Sequence, residues 1–246
     1  MKRSALIIYC PNANPEKPLA GPPVDNDNFV DFLTSKAGGN WRASEILSLE
    51  DPDSKEVLAA VEKHHAESDY TFTIYTGHGF IHKETKRQYV ELPDLSIPII
   101  KLKSMADRQT LIVDSCRGEY PPQPGEIMKA FSDIYESHVG IAGSTRKLFE
   151  DAVLDADEGW SILYAARRNQ SALDTDDGAA YLISLLKAAE VWEKRDKKNL
   201  VMTLEEAHDF AKQYVVDNFE TMQEPMMNGE KRITHFPFSV KFASLH

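Results

Sequence analysis

The chain has 246 residues, 42% hydrophobic and 27% charged, enough for one large α/β domain or two small ones with a sizeable core. Its 28 Lys and Arg against 39 Asp and Glu give a net charge of −11, which argues against a nucleic-acid partner and weakly favours a basic ligand or substrate. Two cysteines, Cys10 and Cys116, are too few for a disulfide framework and point to a reducing compartment. The apolar run near the N-terminus, Ala5 to Cys10, is too short for a signal-peptide core or a membrane span, so a cytoplasmic protein without membrane contact is expected.

Ala5-Leu6-Ile7-Ile8-Tyr9-Cys10 is continuous and rich in branched residues, and it reads as a strand covered on both faces. The proline-rich stretch Pro11 to Pro23 reads as loop, followed by a short helix over Asp25 to Leu33 and a strand near Ala43 to Leu49. Asp51-Pro52-Asp53-Ser54 is a helix start, with Val57, Leu58 and Val61 at helical spacing behind it. Thr71 to Tyr75 and Thr110 to Asp114 read as buried strands, and Gln88 to Leu95 as a hairpin arm ended by Pro93. After a proline-rich loop, Glu119 to Gly125, comes an apolar piece, Val139 to Ala142, and then a polar, acidic, mobile stretch, Gly143 to Gly159. Trp160 to Ala166 returns to strand character, and Gly178 to Trp192 is an amphipathic helix running into a charged connection through Lys198. Thr203-Leu204-Glu205-Glu206 opens a helix to about Phe219, and Phe236 to Phe242 alternates as an edge-like strand. Strands alternate with helices, so the expected class is α/β, a mostly parallel sheet flanked by helices on both faces.

Active sites in such sheets form at the carboxyl ends of the strands. Two turns there carry chemistry: Gly77-His78-Gly79 after one strand and Asp114-Ser115-Cys116-Arg117-Gly118 after the other. A thiolate attacks only once a neighbouring imidazole lowers its pKa or takes its proton, and the same imidazole can later protonate a leaving amine. The backbone N–H groups of Gly79 and Cys116 are suited to an oxyanion hole. Against this stands the ordinary reading of each residue alone, a small buried cysteine and a histidine in a turn; spacing alone leaves the two balanced. Metal ligation by His64-His65 or His78 and His82 does not fit helical spacing, and Cys10 reads as core.

The blocks Tyr75-Thr76-Gly77-His78-Gly79 and Val113-Asp114-Ser115-Cys116-Arg117-Gly118 resemble the two catalytic signatures of the caspase-like peptidases, which include caspases, metacaspases and paracaspases. Cys-Arg-Gly is similar to the caspase motif, and Asp-Ser-Cys is closer to metacaspases and paracaspases. Downstream, Ile162 to Ala166, Asn169 to Ala172 and Gly178 to Leu182 resemble the family's small-subunit strand, substrate-binding loop and helix. The resemblance implies a caspase-like fold with a six-stranded core and His78 and Cys116 as catalytic dyad. It also implies one domain over residues 1–246. A large-subunit-like part spans about 1–142, a linker about 143–159 and a small-subunit-like part about 160–246.

The same resemblance bears on specificity. Caspases place glutamine two residues before the cysteine and cut after aspartate. Here that position is Asp114, which in metacaspases and paracaspases helps bind a basic P1 residue. Those families supply a second aspartate from a Leu-x-Gly-x-x-Asn-Asp pattern, and Leu19-Ala20-Gly21-Pro22-Pro23-Val24-Asp25 keeps all but the asparagine, replaced by Val24. Asp25 also fits a plain helix cap. Two carboxylates pairing with a guanidinium predict cleavage after Arg, with Lys second.

The cluster Asp151, Asp155, Asp157 and Glu158 lacks the spacing of a calcium loop and reads as a solvated linker, so no cofactor is expected, calcium being the one the resemblance raises. Arg146 and Lys147, read as exposed in that linker, are candidate self-cleavage sites. The expected function is therefore a cysteine endopeptidase acting on proteins with an exposed Arg or Lys. The resemblance places such enzymes in cell-death or defence pathways with a separate activator protein. The alternatives are a catalytically silent interaction module of the same fold and another cysteine hydrolase on the same sheet plan.

Overall fold

The computed structural model describes residues 1–118, 143–195, 199–219, 221–229 and 234–241. The readings over Glu119 to Gly125, Val139 to Ala142, Asp196 to Lys198 and Phe242 lie outside these residues. In chain order the elements are β1 (Arg3–Cys10), α1 (Gly21–Thr34), β2 (Ile46–Glu50), α2 (Ser54–Lys63), β3 (Tyr70–Gly77), β4 (Gly79–Ile81), β5 (Gln88–Glu91), β6 (Ser96–Pro98), β7 (Arg108–Asp114), α3 (Gly143–Asp155) and β8 (Gly159–Tyr164). They continue with β9 (Asp174–Thr175), β10 (Gly178–Ala179), α4 (Ala180–Arg195), β11 (Val201–Thr203), α5 (Leu204–Asn218), β12 (Met226–Gly229) and β13 (Pro237–Val240).

Six strands form the central sheet in the order β12-β8-β7-β3-β1-β2, all parallel except β12, which runs antiparallel to β8. The continuous apolar runs follow from burial on both faces, where side chains alternate between two cores. Ala5, Ile7, Phe72, Ile74, Ile112 and Leu163 point to a core built with α1, α3, α4 and α5. Leu6, Ile8, Tyr75, Leu111, Val113 and Tyr164 point the other way, to a core covered by α2 and a three-stranded antiparallel arm, β4-β5-β6. The hairpin expected over residues 88–95 is the middle of that arm, and Ser96–Pro98 adds its third strand because Leu95 turns the chain back after Pro93.

The acidic stretch Gly143 to Gly159 is not a mobile linker. Residues Gly143–Asp155 are helical, and Phe149 and Val153 are 2% and 0% exposed in the first core. Leu148, Phe149 and Val153 share the face turned to the core while Leu154 stays exposed, a pattern that the charge count obscures. Likewise α1 starts at Gly21, inside the stretch read as loop, because prolines are tolerated in the first turn, where no N–H partner is required. The edge-like strand at the C-terminal end is β13, which pairs with β11 in a small sheet of its own rather than with the central one. Among the described residues, no helix is long and apolar enough to cross a membrane.

Candidate active site

Strands β3 and β7 are neighbours, and Thr76 pairs with Asp114 at their carboxyl ends. His78 and Cys116 each lie two residues beyond that paired level, so the sheet sets them side by side at its rim. Gly77 makes the turn before His78 with φ +154, and a side chain there would collide with the Tyr75 hydroxyl and the wall at Cys10. The His78 backbone is then fixed, its carbonyl accepting from Tyr75 Oη at 2.7 Å and from Glu91 N at 3.0 Å.

The His78 ring places Nε2 2.6 Å from the carbonyl oxygen of Lys17, in the loop after β1. A carbonyl only accepts, so Nε2 carries the proton and the neutral ring keeps its lone pair on Nδ1. Cys116 is half-buried with Sγ 3.8 Å from the Ala172 carbonyl, and among the described residues no hydrogen bond joins it to the His78 ring. Burial pushes the Cys116 thiol up, partly offset by hydrogen bonding at Ala172 and Ser171, while the charges of Asp114 and Glu91 push it further up. The isolated thiol is therefore protonated and depends on a base.

The backbone donors follow from the arm. Glu91 N donates to the His78 carbonyl, so the next pair along, Gly79 and Val90, is one whose N–H groups point outward. Gly79 N–H thus faces the same edge as Ile81 N–H, which donates to Gly118 O on the cysteine turn at 3.3 Å.

On the α1 and α4 face of the same rim three carboxylates converge. Asp114 is 4% exposed, and among the described residues its Oδ2 has no hydrogen-bond partner. Asp25 is 2% exposed and accepts from Thr76 Oγ1 at 2.7 Å and from Ala179 N at 2.9 Å. Gly178 (φ +116) allows that approach, since a Cβ there would sit 2.6 Å from Asp25 Oδ1. Asp174, which sequence reasoning missed, accepts from the N–H groups of Ala20 and Gly21 at 3.1 and 3.2 Å. It takes the helix-capping role considered for Asp25, which instead sits inside α1 behind the N-cap Ala20. The signal for Asp174 was the acidic run Asp174-Thr175-Asp176-Asp177 just past the loop at Asn169 to Ala172.

Desolvation acts on all three. Burial pushes Asp25 up to about 7, and it pushes Asp174 up as well. Burial first, then the charges of Asp25 and Asp174, hold Asp114 well above the carboxylate range. Each carboxylate thus favours its neutral form in the others' presence, and a cation beside them would reverse that preference.

The candidate self-cleavage residues are not in an exposed loop. Arg146 lies on α3, paired with Glu45 and Glu150, and Lys147 pairs with Asp151 on the same helix at 2.6 Å. A protease cuts an extended segment, so cleavage there requires α3 to open. Asp155 ends α3, Asp157 accepts from Thr234 N at 3.3 Å, and Glu158 faces Arg108 at 3.7 Å. Among the described residues no group of three or more His, Cys, Asp or Glu side chains is placed to hold a metal ion. His64 Nε2 contacts the carbonyls of Ala5 and Glu45, and His65 is held by Ser4 and Thr73.

Cys116 and His78 both lie at the carboxyl rim of a six-stranded, mostly parallel sheet, the arrangement expected of a caspase-like fold. The caspase-domain family model matches residues 2–236, so the chain belongs to the caspase-domain peptidases and is a cysteine endopeptidase. In solved structures it is similar to caspase-1 from Spodoptera frugiperda, with a TM-score of 0.59 and 12% identity, covering 92% of this chain and 86% of that one, a likeness of fold. No curated protein matches the chain.

Proposed function

We propose that the protein hydrolyses peptide bonds after arginine, and more slowly after lysine, with Cys116 as nucleophile and His78 as its base. The observation that carries the specificity is the orphaned Asp114 Oδ2 in a pocket shared with Asp25 and Asp174. A guanidinium brings five donors in a planar fork and is weakly hydrated, so it satisfies several buried carboxylate oxygens at low desolvation cost. An ammonium neutralises the pocket as a point charge, and an aspartate adds a further negative charge.

Once the P1 side chain is seated, His78 Nδ1 takes the Cys116 proton and the thiolate attacks the scissile carbonyl. The developing oxyanion is held by the N–H groups of Gly79 and Cys116. Collapse of the tetrahedral intermediate expels the amine, protonated by His78, and leaves a thioester. Water, activated by the same ring, then releases the acid. The bond from Nε2 to Lys17 O keeps the proton-accepting nitrogen free through both halves. Peptides identical except for Arg, Lys or Asp at P1 test the reading: turnover should fall in that order, and turnover of the Asp peptide above the other two would reject it.

The pocket predicts a pH signature. The folded-state pKa of Asp25, about 7, lies above its ordinary value of 3.8, so the folded state holds the extra proton between them. Stability contributed by the neutral form is complete at low pH and is lost as pH rises through about 7, at most about 4 kcal/mol. Binding of a cationic side chain has the opposite sign, because it needs the charged form. KM for an Arg peptide should therefore rise as pH falls below about 7, while Asp25→Asn should flatten both trends. Denaturant melts and KM measured from pH 5 to 8 check them together, and unchanged slopes in the variant would remove Asp25 from the pocket.

A further inference from the structure

The turn carrying Cys116 has carboxylates on one face of the sheet and arginines on the other. Strand alternation sends Asp114 to the α1 and α4 side, while Arg117 lies over the ring of Tyr164, a residue of the opposite core, 3.9 Å from its centroid. There a cavity of about 740 Å³ opens between the arm, β8 and β12. Lys86, Arg87, Arg117, Arg167 and Arg168 all line it, in a chain whose net charge is −11.

Three of these cations, Arg87, Arg117 and Arg168, are under-neutralised among the described residues. Arg117 is 5% exposed, yet among the described residues its guanidinium donates to neutral acceptors, Gln88 Oε1 at 3.1 Å and Ala166 O at 3.0 Å. Among the described residues neither Arg87, Arg117 nor Arg168 has a carboxylate within ion-pair distance, and Arg167 is paired with Glu224 at 2.9 Å. A buried guanidinium held by neutral acceptors keeps a desolvation cost that an anion would relieve. The remaining walls are apolar, with Ile81, Ile99, Tyr164 and Met226, and the volume is that of a small-molecule pocket.

From these contacts we propose that the cavity binds a small phosphate-bearing molecule of nucleotide size and that its occupancy frees Cys116 for catalysis. Phosphate matches arginine forks bidentately, and the apolar walls take the uncharged part of the ligand. The link to the thiol is a short series of hydrogen bonds. Gln88 accepts from Arg117 and donates to Ser115 Oγ at 3.2 Å and to the Cys116 carbonyl at 3.1 Å. Arg117 N donates to Gln170 O and Asn169 N to Arg117 O, each at 2.9 Å. The segment so held runs from the cavity-lining Arg167 and Arg168 to Ala172, whose carbonyl engages Cys116 Sγ. Drawing the two arginines onto an anion moves this segment and releases the thiol toward His78.

The binding part of the proposal is independent of which residue is cleaved, and only the second readout below rests on Cys116 as nucleophile. Calorimetry on the full chain with ATP, and separately with inorganic tripolyphosphate, should give saturable binding. The Arg87→Gln/Arg168→Gln double variant should weaken it by about tenfold or more. Binding of ATP but not tripolyphosphate identifies a nucleotide, and equal binding of both identifies the phosphate chain alone. Iodoacetamide labelling of Cys116, followed on its own peptide because Cys10 is 0% exposed, should run several-fold faster with the bound probe. No binding of either probe at millimolar concentration, or affinity unchanged in the double variant, overturns the site. A hexaglutamate peptide binding more tightly than both probes overturns the small-molecule assignment, and an unchanged labelling rate overturns the coupling. Loss of Arg-peptide cleavage with these results intact would reject the peptidase reading alone.

Discussion

Replacing Cys116 by alanine should lower kcat for peptide hydrolysis by about ten-thousand-fold or more, to the rate left by binding and the oxyanion donors. The fold should survive, because the side chain belongs to neither core and its hydrogen bonds reach only the rim loop at Ser171 and Ala172 among the described residues. The neighbouring hydroxyl offers no substitute nucleophile: Ser115 is 2% exposed and accepts from Gln88 Nε2. His78→Ala should cost about a hundred- to ten-thousand-fold by removing the base. The two losses should not add, since thiol and imidazole act as one unit. A Cys116→Ala protein with turnover near that of the parent would mean that another residue carries the chemistry.

The second large effect is expected at Asp114. Asparagine there keeps the shape and removes the charge, which should cost about 2–5 kcal/mol in transition-state binding, roughly 30- to 5,000-fold in kcat/KM for an Arg peptide. Stability should move the other way. The folded-state pKa of Asp114 is raised by burial and by Asp25 and Asp174, so its contribution to stability is lost as pH rises above the ordinary carboxylate range. An amide does not titrate, and the variant should melt higher than the parent at neutral pH. Lower activity with higher stability is the mark of a pocket strained for its ligand. A variant that loses both would make Asp114 a structural carboxylate, and one that keeps full activity would place the P1 pocket elsewhere.

The sequence carried the sheet and its two rim turns because burial on both faces writes a strand as an unbroken apolar run, and glycine writes the turns. Tyr70–Gly77 and Arg108–Asp114 were legible for that reason, and so was the helix opened by the capping box at Thr203. Helix α3 was hidden because its charged residues dominate the composition while Phe149 and Val153 carry the packing. Asp174 was hidden for a different reason: it reaches Ala20 and Gly21 from more than 150 residues away, a relation no local pattern records. The orienting partner of His78 is a backbone carbonyl, so the identity of Lys17 leaves no trace of it. The basic cavity gathers Arg87, Arg117 and Arg168 from three separate segments, each an unremarkable charge on its own.

On the proposed reading, negative charge in the pocket, rather than its shape, selects the residue before the cut. Citrulline tests it, having the shape of arginine without the charge. The kcat/KM for a peptide with Arg at P1 should exceed that for the citrulline peptide by about a hundredfold or more, two charge-assisted bonds being lost. In Asp114→Asn the ratio should shrink. Equal rates for the two peptides would contradict the account.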